Sequence, residues 1–153
     1  PLAAFGGRGD IMARLSPQGP VYQAGTLSGN PLAVAAGRAT LAQLTPDVYA
    51  RLEAHGEALE RILRPVLEEL GLSMLRLGSM LTVFFRRTPP THFAEVKECD
   101  IPAFGRFHRA CLDRGVYLPP SQFEAAFLPA CLTDEDVVFA GSQMVDALRA
   151  TVL

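Results

Sequence analysis

Tyr22-Gln23-Ala24-Gly25-Thr26-Leu27-Ser28-Gly29-Asn30-Pro31 is the stretch on which the reading of this chain turns. Asn30 is a favoured helix N-cap and Pro31 suits the first helical position, so the run ends by starting a helix. Ahead of that start, glycines leave backbone N–H groups accessible around the Thr26 hydroxyl. Donors of this kind beside a helix start suit an anion such as a phosphate. The same residues describe equally well a capped turn that binds nothing.

Outward from this run, the chain has 153 residues and is 49% hydrophobic, enough for one domain with a real core. A formal net charge of −2 provides no basic field, so neither nucleic acid nor a membrane surface is expected as a partner. No apolar run reaches the roughly 18 residues of a membrane helix. The opening Pro1-Leu2-Ala3-Ala4-Phe5 has no basic region and reads as a chain entered within a strand, not as a signal peptide. Cys99, Cys111 and Cys131 are widely spaced and form no CxxC pair, so reduced thiols in a cytoplasmic protein are expected. Arg8-Gly9-Asp10 spells an adhesion tripeptide, but no secretory feature accompanies it.

Periodicity organises the rest. Residues 1–30 read as irregular, with a short strand at Leu2–Phe5. An alanine-rich helix follows over 31–44, with Leu32, Ala35, Ala36, Ala39 and Leu44 on its buried side. Thr45-Pro46-Asp47 restarts the chain, and Val48, Leu52, Leu59, Ile62, Leu63, Val66, Leu67 and Leu70 recur at helical spacing up to Gly71. Pro65 predicts a kink or a short break. Leu72–Leu77 and Met80–Arg86 read as antiparallel strands around Gly78-Ser79, and Arg86 to Asp100 as a loop. Asp100 caps a third helix with Phe104, Phe107, Cys111 and Leu112 on its apolar stripe. Val116–Leu118 and Phe123–Phe127 read as strands, and Thr133-Asp134-Glu135-Asp136 opens a last helix that runs to about Ala150. Helices covering one face of a small antiparallel sheet satisfy this order, an α+β arrangement.

Phe5-Gly6-Gly7-Arg8, Gly19-Pro20-Val21 and the opening run together resemble glutamate-1-semialdehyde 2,1-aminomutase, a family of pyridoxal-phosphate enzymes of aminotransferase fold type I. Gly115-Val116-Tyr117-Leu118-Pro119-Pro120-Ser121-Gln122-Phe123-Glu124-Ala125 carries the same resemblance. Its Ser-Gln-Phe-Glu part separates the aminomutase from relatives that more often carry an arginine in this region. The resemblance covers the whole chain but only the C-terminal part of the family's protein. It implies an α/β parent of which this chain is the C-terminal small domain: 1–30 a remnant of the large cofactor-binding domain, 31–70 a helical link, 71–153 the small domain itself.

Several roles follow from the resemblance. The cofactor is pyridoxal 5′-phosphate, and the lysine that binds its aldehyde lies shortly before Pro1, so no catalytic residue falls in this chain. Gly25 and Thr26 bind the cofactor phosphate of the neighbouring subunit across a homodimer interface. Glu124 lies near the small-molecule substrate and can pair with an upstream arginine, with Ser121 as a lesser substrate contact. The enzyme converts glutamate-1-semialdehyde to 5-aminolevulinate in tetrapyrrole synthesis, downstream of glutamyl-tRNA reductase. Read as residues alone, Glu124 is either a partly desolvated acid in need of a partner or a strand-edge carboxylate facing water. Ser121 and Gln122 can also simply shape the turn.

Other readings stand beside these. An ω-amino-acid aminotransferase of the same class and a non-catalytic dimerisation module share most of the features. Lys97, the single lysine, sits in a polar stretch outside any family motif and reads as a surface charge. Relatives carry a Ser-x-Ala-His-Thr type stretch before the last helix, whereas here it is Pro129-Ala130-Cys131-Leu132-Thr133, so a role for that histidine does not transfer. His55 is expected on a solvent face, and no histidine pair has metal-ligand spacing.

Overall fold

The computed structural model describes residues 2–152, and the chain divides into two compact units, one up to Thr45 and one from Pro46.

In the first unit the backbone forms α1 (Gly9–Met12) and α2 (Pro31–Gln43). The Arg8 guanidinium meets the Asp10 carboxylate at 2.7 Å, which closes the Arg-Gly-Asp tripeptide on itself. The expected strand at Leu2–Phe5 does not form. A strand needs a ladder partner, and among the described residues of this unit only Leu15 and Val21 form a bridge. At the start of α2 the Asn30 side chain accepts from the Ala33 N–H at 3.1 Å and Pro31 takes the first turn, as the sequence indicates. The expected buried side of α2 is open instead: Leu32 is 80% exposed and Leu44 is also exposed. The covered positions are Ala33, Val34 and Gly37, because the Leu2 side chain occupies the place where a Gly37 Cβ would stand.

The second unit opens with α3 (Pro46–Leu70), which runs unbroken through Pro65. A proline inside a helix costs about 3 kcal/mol. Leu63, Val66 and Leu67, on both sides of it, are fully buried, and each such side chain contributes about 1.5–3 kcal/mol. Their combined burial outweighs the lost hydrogen bond. Gly71, at φ +65, ends the helix.

Strands β1 (Ser73–Leu77) and β2 (Met80–Phe84) form the expected antiparallel hairpin, with Ser73 opposite Phe84 and Leu77 opposite Met80. Gly78 turns the corner at φ +59. Beyond them the loop expected before Asp100 contains the short helix α4 (Phe93–Lys97). The Glu95 carboxylate accepts from both the backbone and the hydroxyl of Thr91, which organises that turn after Pro89-Pro90.

Helix α5 (Ile101–Asp113) is capped by Asp100, whose carboxylate accepts from Ala103 N–H at 2.9 Å. Phe104, Phe107 and Cys111 are buried as expected, whereas Leu112 is exposed. The expected strand at Val116–Leu118 is absent. Gly115 takes φ +82 and the Val116 N–H bonds the Cys111 carbonyl at 2.9 Å, so that donor closes the helix instead of joining a ladder. The strand expected over Phe123–Phe127 shrinks to β3 (Ala126–Phe127), which pairs antiparallel with β2 to give the order β1-β2-β3.

The last helix, α6 (Asp134–Val152), starts with a reciprocal box. Thr133 N–H donates to the Asp136 carboxylate at 2.9 Å, and Asp136 N–H donates to the Thr133 hydroxyl at 3.2 Å. Helix α6 packs on α3 and α5, and Leu59, Leu63, Phe107, Cys111, Met144 and Leu148 meet Leu81 and Val83 of β2 in one core.

One histidine belongs to that packing. His55 is only 3% exposed, against the expected solvent position. It stands four residues before Leu59 and eight before Leu63, so the helical stripe itself includes it.

Candidate functional site

The first candidate is the turn ahead of α2. Ser28 N–H bonds the Gly25 carbonyl at 2.9 Å, and Asn30 N–H bonds the Leu27 carbonyl at 3.1 Å. Two successive turns therefore wrap residues 25–30, with Gly29 at φ +72. A Cβ on Gly25 would stand 2.9 Å from the Ser28 hydroxyl oxygen, a contact that rotation of that side chain relieves. Thr26 is exposed on it. Among the described residues its hydroxyl and the N–H groups of Thr26, Leu27 and Gly29 meet no hydrogen-bond partner. A neutral hydroxyl and unspent backbone donors before a helix N-terminus fit the oxygens of a phosphate.

The second candidate lies in the other unit. A cleft of about 590 Å³ is walled by Leu59, Leu81 and Met144 from the core and by Tyr117, Pro119, Glu124 and Phe127 from the loops around β3. Tyr117 is 80% exposed at its rim. Two carboxylates reach this cleft, Glu124 and Asp136. Asp136 already caps α6, and the Thr133 backbone and hydroxyl donors hold its carboxyl below the usual carboxylate range. Glu124 is exposed, and its carboxylate has no partner among the described residues. It is therefore free to meet a cation or donor in the cleft. The water-facing reading of its position and the candidate role are both compatible with this exposure.

Ser121 and Gln122 shape the approach to Glu124. Ser121 Oγ accepts from Phe123 N–H at 3.2 Å, and its carbonyl accepts from Glu124 N–H at 3.1 Å. Gln122 is 2% exposed, and its Nε2 donates to the Val83 carbonyl at 2.6 Å. Its burial was not legible from the sequence, where it read only as a residue that could shape the turn.

Neither the single lysine nor the buried cysteines offer a nucleophile. Lys97 sits on α4 with its Nζ 5.7 Å from the Phe93 ring centroid, far from the arrangement a nucleophilic lysine needs. Burial pushes the Cys111 thiol up to about 12 and raises Cys99 as well, so neither is a thiolate nucleophile. Among the described residues no group of three acidic, histidine or cysteine side chains could hold a metal, and no helix is long and apolar enough to cross a membrane.

No protein-family model matches the chain. A curated glutamate-1-semialdehyde 2,1-aminomutase from Sorangium cellulosum is 54% identical over 152 residues, which is 98% of this chain and 35% of that protein. The chain belongs to the glutamate-1-semialdehyde 2,1-aminomutase family. It spans about a third of the length of the curated relatives it matches. Among solved structures, a glutamate-1-semialdehyde aminomutase from Pseudomonas aeruginosa in complex with PMP is 30% identical with a TM-score of 0.75, covering 85% of this chain and 29% of that one. A β-phenylalanine aminotransferase from Variovorax paradoxus is 26% identical with a TM-score of 0.80, covering 95% of this chain and 34% of that one. The solved structures it matches are class III pyridoxal-phosphate aminotransferases, and this segment is an α+β piece, a small antiparallel sheet with covering helices, consistent with their C-terminal domain.

Gly25 and Thr26 lie in the first unit, and Ser121 and Glu124 in the second. The fold brings Ser121, Gln122 and Glu124 together on one turn beside β2. His55 is a polar residue that sequence reasoning placed wrongly, although its i, i+4, i+8 spacing with Leu59 and Leu63 was there to be read.

Proposed function

We propose that this chain forms part of an intramolecular aminotransferase that converts glutamate-1-semialdehyde to 5-aminolevulinate for tetrapyrrole biosynthesis in the cytoplasm. The observation that carries the proposal is the 54% identity over 152 residues to a curated aminomutase. When bound, pyridoxal 5′-phosphate supplies the electron sink that lets an amino group change carbon. Gly25 and Thr26 would hold its phosphate: the hydroxyl and the unspent backbone N–H groups donate, on a turn closed by the Ser28 N–H to Gly25 carbonyl bond. In a homodimer this turn serves the cofactor of the neighbouring subunit. Glu124, open at the cleft, meets a cationic or hydrogen-bond-donating group beside the substrate, with Ser121 at its side. Glutamyl-tRNA reductase is the enzyme that supplies the semialdehyde. Neither nucleic acid nor a membrane is a partner.

The 153-residue polypeptide alone is inactive in this reading, because the lysine that would bind the cofactor aldehyde is not among its residues and its one lysine, Lys97, sits on α4 outside both candidate sites. The second reading, an ω-amino-acid aminotransferase, draws on the TM-score of 0.80 to the β-phenylalanine enzyme. The higher identity to aminomutases favours the first. The full-length protein separates the two: the aminomutase forms 5-aminolevulinate from the semialdehyde without an added amino acceptor, whereas a transaminase turns over only when one is supplied. Turnover strictly dependent on an acceptor, or any turnover by the 153-residue polypeptide, overturns the corresponding part of the proposal.

A further inference from the structure

Backbone pairing between β2 and the chain that returns along it stops at Leu81 opposite Ala126. The next residues of the returning chain, 122–125, carry the Glu124 side chain to the cleft. They are held to β2 by side chains instead. Gln122 Nε2 donates to the Val83 carbonyl at 2.6 Å, and Thr82 Oγ1 donates to the Glu124 carbonyl at 3.3 Å. The two bonds grip the chain on either side of Phe123, one donated from the turn and one from β2.

Gln122 is an unusual choice for this place. It is 2% exposed, and its Oε1 is buried without a donor. A residue whose task was only to fill the core would be apolar, since a stranded acceptor counts against the fold. What the amide adds is direction: a donor aimed at one carbonyl fixes the register of the turn Ser121–Glu124 against β2.

We propose that Gln122 is a positioning residue, which together with Thr82 sets the place of Glu124 at the mouth of the cleft. The inference rests on the reading of Glu124 as a substrate contact. The side-chain grip leaves the Glu124 carboxylate exposed while its backbone is pinned. A charged group that must meet a small ligand in one geometry benefits from such pinning, because small misplacements are costly in rate or binding.

Steady-state kinetics of the full-length protein on glutamate-1-semialdehyde tests this, with Gln122→Met, Thr82→Val, Glu124→Gln and the double variant Gln122→Met/Glu124→Gln. Gln122→Met is expected to raise KM roughly tenfold while kcat stays within about threefold, and the double variant to match Glu124→Gln alone. Thr82→Val keeps the side-chain shape, is exposed to no buried-donor loss, and moves KM the same way by a smaller factor, so the test survives if Gln122→Met fails to fold. An unchanged KM in Gln122→Met and Thr82→Val, alongside a raised KM in Glu124→Gln, overturns the positioning role and leaves the site reading intact. Fully additive effects in the double variant overturn it too. An unchanged KM in Glu124→Gln removes the site reading itself, and the positioning role with it.

Discussion

His55 Nε2 lies 3.0 Å from Asp134 Oδ1, which ties the middle of α3 to the first turn of α6 across 79 residues of sequence. The two ends of this contact are unlike: the imidazole is buried, while the carboxylate side chain is 92% exposed. The buried end therefore carries most of the effect. His55→Ala removes core volume and is expected to cost about 2–4 kcal/mol of unfolding free energy. Asp134→Ala, in contact with water on most sides, is expected to cost well under half of that. Urea denaturation of the protein and both variants measures the order, and equal losses would contradict it.

Gly56 and Gly141 both lie where helices approach their neighbours. A Cβ on Gly56 would collide with the backbone carbonyl of Gly78 at the β1–β2 turn, close to the Arg76 side chain. That arginine is fixed by Glu60 at 2.8 Å and Glu53 at 2.7 Å, so it has little room to withdraw. A Cβ on Gly141 would stand 2.9 Å from both Cγ2 and Cδ1 of Ile62 and 3.3 Å from its Cβ, and a β-branched side chain on a helix has little χ1 freedom to withdraw. Alanine gains about 1 kcal/mol over glycine from helix propensity, against about 1–3 kcal/mol for overpacking. Both substitutions are thus expected to destabilise, Gly56→Ala the more strongly because its closest clash is with backbone. Thermal melts of the two variants distinguish them.

Thr26→Val in the full-length protein removes one hydroxyl and keeps the shape of the side chain. If that hydroxyl holds the cofactor phosphate, affinity for pyridoxal 5′-phosphate drops by roughly tenfold, the worth of one hydrogen bond to a charged group. Absorbance titration of the apo protein with the coenzyme measures this directly. Unchanged affinity would remove Thr26 from the phosphate site.

The three cysteines differ in their surroundings, and their reactivity is expected to follow. Cys131 is exposed and reacts first with a thiol reagent, while Cys99 and Cys111 are buried and wait for unfolding. The folded Cys111 thiol stands near 12, above its ordinary 9.0, so the folded state binds this proton more tightly than the unfolded chain does. Its contribution is whole below about pH 9 and is lost progressively as the pH rises from there toward 12. Unfolding free energy measured from pH 8 to 10.5 is expected to fall, and to fall less in Cys111→Ala at its own lower starting stability.

Local chemistry was legible in the chain before any fold was known. Asn30-Pro31, Asp100 and Thr133 each announced a helix start and each forms its cap. Gly71, Gly78 and Gly115 marked stops and turns, and all three take positive φ. These signals are legible because a cap or a left-handed turn depends on a few adjacent residues. The wording of the Gly25-Thr26 run and of the Ser-Gln-Phe-Glu run is also what nominated the two candidate sites.

The misplaced elements share another cause. Val116–Leu118 has strand propensity, but the Val116 donor closes α5 and β3 pairs only through Ala126 and Phe127. Pro65 should have broken α3, but burial on both sides holds the helix together. His55 and Gln122 look polar and surface-bound in sequence, yet each is buried because a distant partner, Asp134 or the Val83 carbonyl, lies within reach. By itself the chain determined its helix starts, its stops and its family. Only the tertiary structure decided which polar side chains went inside and which extended segments found a ladder, because burial and strand pairing depend on residues tens of positions away.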